Sequence, residues 1–140
     1  MEWALRSATA DDAEAVVALW RESGAEPTST DDPASVRALI ERDPSSLIVA
    51  ESDGRIVGTL IAGFDGWRGS LYRLVVRPDL RRHGLATAIV GEAERRLVGL
   101  GARRANALVV QDHAHAVGFW KAAGYEHDPR MDRFVRNVGG

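Results

Sequence analysis

Hydrophobic patterning along the 140 residues predicts an α/β (α+β) fold on one mixed sheet, with elements in the order β-α-α-β-β-β-α-β-α-β-β. Three observations lead there. Two early segments carry apolar residues at helical spacing. Asp53-Gly54 stands between two apolar runs, the signal of a tight hairpin. Finally, a strand, a loop, a long amphipathic helix and another strand succeed one another over Ser70 to Val110. The two strands of such a unit should be parallel, joined by a right-handed crossover.

Glu2 to Ala8 reads as the first strand. Thr9-Ala10-Asp11-Asp12 has the form of a capping box, ahead of the stripe Ala13, Val16, Val17 and Trp20. Gly24 to Pro33 is a surface loop between two helices. Asp32 is the N-cap of the second helix, Pro33 fills its first position, and Val36, Leu39 and Ile40 are its apolar side. Leu47 to Glu51 and Arg55 to Phe64 flank the hairpin turn, and Asp65 to Gly69 turns the chain into Ser70 to Val76, completing an antiparallel meander.

Pro78 biases Arg77 away from helix, so Arg77 to Leu80 is a loop. From Leu85 a helix places Leu85, Ile89, Ala93, Leu97 and Leu100 on one stripe, and Gly99 and Gly101 close it. Arg104 to Val110 returns to strand. Asp112 then caps a helix running to Ala123, which Gly124 ends. Tyr125 to His127 and Asp132 to Val138 are expected to form a terminal hairpin. No linker or repeat divides the chain, so residues 1–140 are expected to form a single domain.

Composition narrows the function. A net charge of −2 speaks against a nucleic-acid or anionic-membrane binder. The absence of cysteine excludes disulfides, thiolate metal sites and a Cys nucleophile. No apolar run approaches the roughly 20 residues of a membrane span, and the first residues, Met1 to Arg6, lack the pattern of a signal peptide. A cytoplasmic location, no membrane or nucleic-acid partner and no metal are the expectations.

The stretch Arg81-Arg82-His83-Gly84-Leu85-Ala86-Thr87 carries the most chemistry. It joins a strand to a helix, where unpaired N–H groups and the positive end of the helix dipole attract anions. Gly84 admits a bulky anion to the backbone, Ala86 keeps the first turn thin, and Arg81, Arg82 and His83 add positive charge. The spacing is neither a Walker A loop nor a dinucleotide fingerprint. A solvated basic turn is the alternative that the local pattern leaves open.

At these residues the sequence resembles the GNAT superfamily of acyl-CoA-dependent N-acyltransferases. Its signature Arg/Gln-x-x-Gly-x-Gly/Ala is met by Arg81, Gly84 and Ala86. Leu74-Val75-Val76-Arg77-Pro78 resembles the strand and turn that lead into that loop. The segment from His113 through Ala116, Phe119, Trp120 and Gly124 to Tyr125 is similar to the family's closing motif. The span Gly63 to Ile89 resembles a bacterial subgroup of small acetyltransferases.

The resemblance implies acetyl-CoA as co-substrate, a central pair of splayed parallel strands, and an amine of a small molecule or peptide as acceptor. Backbone groups of Leu74, Val75 and Val76 would pair with the pantetheine arm. The amides of Arg82, His83, Gly84, Leu85, Ala86 and Thr87 would hold the pyrophosphate, with Arg81 beside them. His113 stands where the family has an Asn that contacts the cofactor arm. Trp120 stands where the family has the Tyr proposed as general acid, and an indole N–H is a donor only.

Tyr72, on the neighbouring strand, or a water is therefore the candidate to supply the proton. Candidates for a base are His113, His115, Asp65, Glu51 and Glu126. His113 and His115, two apart on a helix, are expected to face different ways. Trp20 is expected in the core, whereas Trp67 would line an acceptor pocket, meet a partner in a homodimer or cap its hairpin. Glu26, Asp31 and Asp32 form an acidic stretch that would either attract a cationic amine or lie solvated. Three functions stay open: an N-acetyltransferase, a non-catalytic acyl-CoA-binding domain, and a binder of some other phosphate ligand.

Overall fold

A computed structural model describes residues 2–110 and 113–139. The chain divides into two compact units, Met1–Leu108 and Val109–Gly140. The first contains β1 (Ala4–Ser7), a 3-10 turn (Ala10–Asp12), α1 (Ala13–Glu22), α2 (Pro33–Arg42), β2 (Leu47–Ser52), β3 (Arg55–Phe64), β4 (Gly69–Val76), a second 3-10 turn (Pro78–Leu80), α3 (Leu85–Gly99) and β5 (Ala105–Ala107). The second contains α4 (Ala114–Ala122).

The five strands form one sheet in the order β1-β2-β3-β4-β5. β1 to β4 pair antiparallel, and β4 pairs with β5 in parallel, as expected for a strand–helix–strand crossover. Local chemistry explains the turns. Asp53 and Gly54 both have positive φ, 50° and 73°, which a two-residue hairpin of the twist-matched kind requires. The Asp32 carboxylate accepts the Ser35 N–H at 3.0 Å, capping α2 with Pro33 in its first turn.

Alternation places the core on both faces of the sheet. Leu47, Val49 and Ile61 join Ala13, Val16, Val17 and Trp20 of α1 and Val36 and Ile40 of α2. α3 lies on the other face and buries Leu85, Ile89, Val90, Ala93 and Leu97. It comes very close. A Cβ added to Gly58 would stand 2.9 Å from the Ile89 side chain, and one added to Gly69 would stand 2.6 Å from Leu97.

Several expectations need correction. β5 spans only Ala105–Ala107 instead of Arg104 to Val110, and Leu108 and Val110 are exposed. Leu100 ends the α3 stripe in solvent, because the helix stops at Gly99 and Gly101 (φ 102°) turns the chain away. The terminal hairpin is absent: the described residues after α4 contain no strand. The apolar residues there, Met131, Phe134, Val135 and Val138, are all exposed and do not alternate. A strand would split them between its two faces and gather no apolar surface on either. Asp128 forms a local turn instead, accepting from the Arg130 N–H at 3.1 Å, with the Met131 N–H on its carbonyl at 3.2 Å. The cap expected of Asp112 lies outside the described residues.

Arg6 fastens β1 to the first helical turn through Asp12 (2.7 Å) and to β2 through Glu51 (2.8 Å). Asp12 also accepts the Thr9 N–H at 2.7 Å, closing the expected capping box. The Arg6 hydrogen bond, helped by that of Thr9, holds the Asp12 carboxyl below its ordinary value of 3.8. A lowered carboxylate adds stability that is complete above the unfolded pKa of about 3.9 and is lost as pH falls through the folded value. Asp12→Asn should therefore cost about 1 kcal/mol at pH 7 in urea titrations. The difference from wild type should shrink below about pH 4. An undiminished difference at pH 3 would show that the charge is not its source.

Candidate functional site

The centre of β4 is irregular. Thr59 pairs with Val75, but Ile61 pairs with Tyr72, so β4 carries one residue more than β3 at this point. The extra residue falls at Arg73, whose φ of 60° lies in the left-handed region. As a result Tyr72 and Val75, three apart, both pack toward the α1–α2 face. Buried Thr59 holds the bulge. Its hydroxyl donates to the Arg73 carbonyl at 2.9 Å and accepts the Trp20 indole N–H at 2.9 Å.

On its other edge β4 loses its partner. β5 pairs only with Gly69, Ser70 and Leu71, and the Leu108 N–H adds one last bond to the Leu71 carbonyl at 2.9 Å. Among the described residues no backbone bond from the β5 side reaches Arg73 to Val76. Leu74, Val75 and Val76 thus keep an open ladder edge, available to an extended ligand carrying its own amides.

The start of α3 sits at the end of this edge. Leu85 reaches to 3.5 Å from a Cβ on Gly58, and Gly58 pairs with Val76, the last residue of β4. Arg82 (φ 68°) and Gly84 (φ 81°) turn the loop so that it enters the helix with Gly84 as N-cap. Glycine offers no capping side chain, and the first helical bond runs from the Ala88 N–H to the Gly84 carbonyl at 3.0 Å. The N–H groups of Leu85, Ala86 and Thr87 therefore precede the intrahelical ladder. A Cβ on Gly84 would meet nothing within 4 Å, so the space above these donors is open. Arg81, Arg82 and His83 are exposed around it. Open donors, a helix dipole and cationic side chains are the features that suit a phosphate-type anion.

The acetyltransferase (GNAT) family profile matches residues 13–125. The chain belongs to the GNAT acetyltransferase family. An acetyltransferase of Pectobacterium atrosepticum is 34% identical over 116 residues, covering 83% of this chain and 82% of that one. The GNAT fold is equally plain in solved structures. The PaiA N-acetyltransferase of Thermoplasma acidophilum, in complex with coenzyme A, superposes with a TM-score of 0.82 at 16% identity, covering 91% of this chain and 92% of that one. The aminoglycoside N-acetyltransferase AAC(6')-Iy, in complex with CoA, does so with a TM-score of 0.74 at 17% identity, covering 98% and 96%.

Of the residues that the GNAT motifs single out, Leu74 to Val76 and Arg81 to Thr87 come together in the first unit, and His113 and Trp120 belong to the second. His113 precedes the first helical residue of α4, which frees its ring to stack on that of His115 at 5.9 Å and 16°. That corrects the expectation that the two rings face apart. Trp120 is 5% exposed and meets Tyr125 edge to face at 4.9 Å.

Other candidates are committed elsewhere. Glu51 accepts from Arg6. Asp65 accepts the N–H groups of Trp67 and Arg68, both at 2.8 Å, and these bonds, with that from Arg68 the largest cause, hold its carboxyl below its ordinary range. Neither is suited to taking a proton from an amine. Trp67 is exposed with the Arg68 guanidinium 4.0 Å over its ring, an arrangement that caps the hairpin. Trp20 is in the core, as expected, but its indole N–H has the unforeseen task of holding Thr59. Two of the three acidic residues are also engaged, since Asp32 caps α2 and Asp31 pairs with Arg73, whereas Glu26 is exposed. Among the described residues no group of three or more His, Asp or Glu is arranged to hold a metal ion.

Thr59 and Arg73 were not singled out from the sequence. Their signal was there: a hydroxyl and a guanidinium inside mostly apolar strands, in the runs IVGTLIAGF and LYRLVV. Thr59→Val conserves shape but leaves the Trp20 N–H and the Arg73 carbonyl without this partner. We expect a loss of about 1–3 kcal/mol in urea denaturation. An unchanged midpoint would show that the bulge holds without the hydroxyl.

Proposed function

We propose that this chain is an N-acetyltransferase that uses acetyl-CoA and an amine of a small molecule or peptide, the amine nitrogen attacking the thioester directly. The observation that carries the reading is the uncapped start of α3, with open space over Gly84, standing at the end of the unpaired edge of β4. An edge of backbone amides followed by an anion site fits a molecule that has an amide-bearing arm and a pyrophosphate. The residues that would hold it are Leu74, Val75 and Val76 along the arm, and Arg82 to Thr87 with Arg81 at the pyrophosphate. The family profile spans 13–125, which supports reading the whole chain as one transferase domain.

Acetyl-CoA supplies an activated acyl carbon and a thiol leaving group whose pKa is near that of cysteine, about 8.5. The chain must do the rest. A lysine-like amine, with a pKa of about 10.4, is mostly charged at pH 7 and needs to lose a proton before it attacks. With Glu51 and Asp65 engaged, His113, His115 and Glu126 remain as bases, and a water relay serves equally. A backbone N–H on the open edge of β4 would stabilise the oxygen charge that develops.

Trp120 has no proton to give, so proton delivery to the thiol falls to water or to Tyr72. The Tyr72 hydroxyl lies 3.6 Å from a Cβ built on Gly63, on the α1–α2 face. Positioned acid help is typically worth about 10²–10⁴-fold. Tyr72→Phe should lower kcat within that range with the Kd for acetyl-CoA unchanged; an unchanged kcat removes Tyr72 from the role. The indole at Trp120 also favours a second reading, an acyl-CoA-binding domain without turnover.

Calorimetric titration of acetyl-CoA into wild type, Gly84→Ala and Gly84→Glu tests the donor site. Both substitutions bear the same cost of a positive φ, about 1–2 kcal/mol, and only glutamate brings charge and bulk into the open space. Wild type and Gly84→Ala should bind and Gly84→Glu should not. No binding to wild type would overturn the proposal. Thiol release with spermidine, lysine amide and an aminoglycoside then separates the two readings, and turnover with any of them establishes the enzyme.

A further inference from the structure

The end of the first unit remote from the start of α3 carries charge that acetyl transfer leaves unused. Two loops meet there: the turn 65–68 between β3 and β4, and the connection 100–104 between α3 and β5. The Gly69 N–H donates to the Arg104 carbonyl at 2.9 Å, and Leu97, in the last turn of α3, fills the space where a Gly69 side chain would stand. The two loops are thus fastened side by side. A helix of 15 residues spans about 22 Å, so they lie far from the anion site at Gly84.

Their surface combines apolar and cationic groups. Trp67 is 68% exposed and Leu100 53%. Arg103 and Arg104 are exposed, and the Arg68 guanidinium lies 4.0 Å over the Trp67 ring. The one carboxylate in these loops, Asp65, is engaged within its own turn by the N–H groups of Trp67 and Arg68. Among the described residues no carboxylate forms an ion pair with Arg68, Arg103 or Arg104. Three cations without counter-charge therefore surround an exposed tryptophan on a chain whose net charge is −2. Tryptophan and arginine are the side chains that most often carry the energy of a protein interface.

We propose that the loops 65–68 and 100–104 form a docking surface for an acidic polypeptide segment. Trp67 and Leu100 receive an apolar side chain of the partner, and the guanidinium groups of Arg68, Arg103 and Arg104 receive its carboxylates. Charge complementarity selects this occupant. A second copy docked through the same face would set like charges against one another. Nucleic acid stacks its bases on open aromatic faces, and Arg68 already covers one face of the Trp67 ring. An anionic bilayer calls for a broader apolar face than one tryptophan and one leucine supply. A guanidinium held flat on a ring, in contrast, is preorganised to offer its fork of N–H groups to a carboxylate. The surface needs neither acetyl-CoA nor an amine.

Fluorescence anisotropy tests it with a labelled peptide in which single leucines are spaced among glutamates, and with the counterpart in which glutamine replaces every glutamate. The glutamate peptide should bind wild type about tenfold or more tightly than the glutamine peptide does. Arg103→Gln with Arg104→Gln should weaken binding about tenfold or more, and so should Trp67→Ala. Arg95→Gln removes an exposed arginine that Glu92 already pairs, and should leave binding within about twofold of wild type. All variants should keep a urea midpoint close to that of wild type, since each lies on the surface.

Absence of binding to wild type overturns the proposal, as does binding that survives both Trp67→Ala and the double arginine variant. An equal loss in Arg95→Gln overturns it too, because the peptide would then be sensing overall charge. Tighter binding of phosphatidylserine–phosphatidylcholine vesicles or of oligo(dT) than of the glutamate peptide would assign the surface to a membrane or a nucleic acid. A concentration-dependent dimer that Trp67→Ala abolishes would assign it to a second copy. Either result replaces the acidic segment as occupant and overturns the proposal.

Discussion

A short relay of hydrogen bonds, from the Trp20 indole to the Thr59 hydroxyl to the Arg73 carbonyl, governs the middle of this molecule. It joins α1, β3 and β4 through a hydroxyl that is wholly buried. A buried hydroxyl is costly without partners and stabilising with them, and here its donor and acceptor roles are both filled. The relay permits a left-handed arginine in the middle of a mostly apolar strand. The bulge that follows turns Tyr72 and Val75 to one face and separates the paired start of β4 from its unpaired end. Without that irregularity β4 would be an ordinary strand, with alternation unbroken from Gly69 to Val76.

The second constraint is electrostatic. The chain as a whole is slightly acidic, yet Arg81, Arg82 and His83 cluster at a helix start where three backbone donors precede the ladder. Net charge therefore says little about the local field, which is set by a few fixed dipoles and neighbouring cations. Many of the other arginines are neutralised in place: Arg6 by Asp12 and Glu51, Arg77 by Asp79, Arg96 by Glu92. Arginines that serve structure are paired, and those around the helix start stand exposed.

Much of this was legible in the sequence. The meander, the hairpin at Asp53-Gly54, the caps at Thr9 and Asp32 and the start of α3 at Leu85 follow from local chemistry, because a few neighbouring residues decide them. The family motifs at Arg81, Gly84 and Ala86 led to the right family. What failed was non-local. The stretch 132–138 has enough β-branched and aromatic content to suggest a strand, but no face on which to gather it. Nothing near Arg73 announces a bulge either, since the reason for it lies in Thr59 and Trp20, 14 and 53 positions away. The roles of Glu51, Asp65 and Asp31 were hidden in the same way, because an acidic residue reads alike whether it is free or engaged.

Gly58 and Gly69 bear on how such a site can be tuned. Each is a notch in the sheet, one receiving Ile89 and the other Leu97, about 12 Å apart along the helix axis. A helix seated in two notches cannot pivot about either one, so the distance between its first turn and the end of β4 is fixed from beneath by missing side chains. For the anion site proposed at its first turn this is a handle that never touches the ligand: a single methyl group set under the helix would alter the span that the proposed ligand has to bridge, while every group assigned to hold it stays chemically the same.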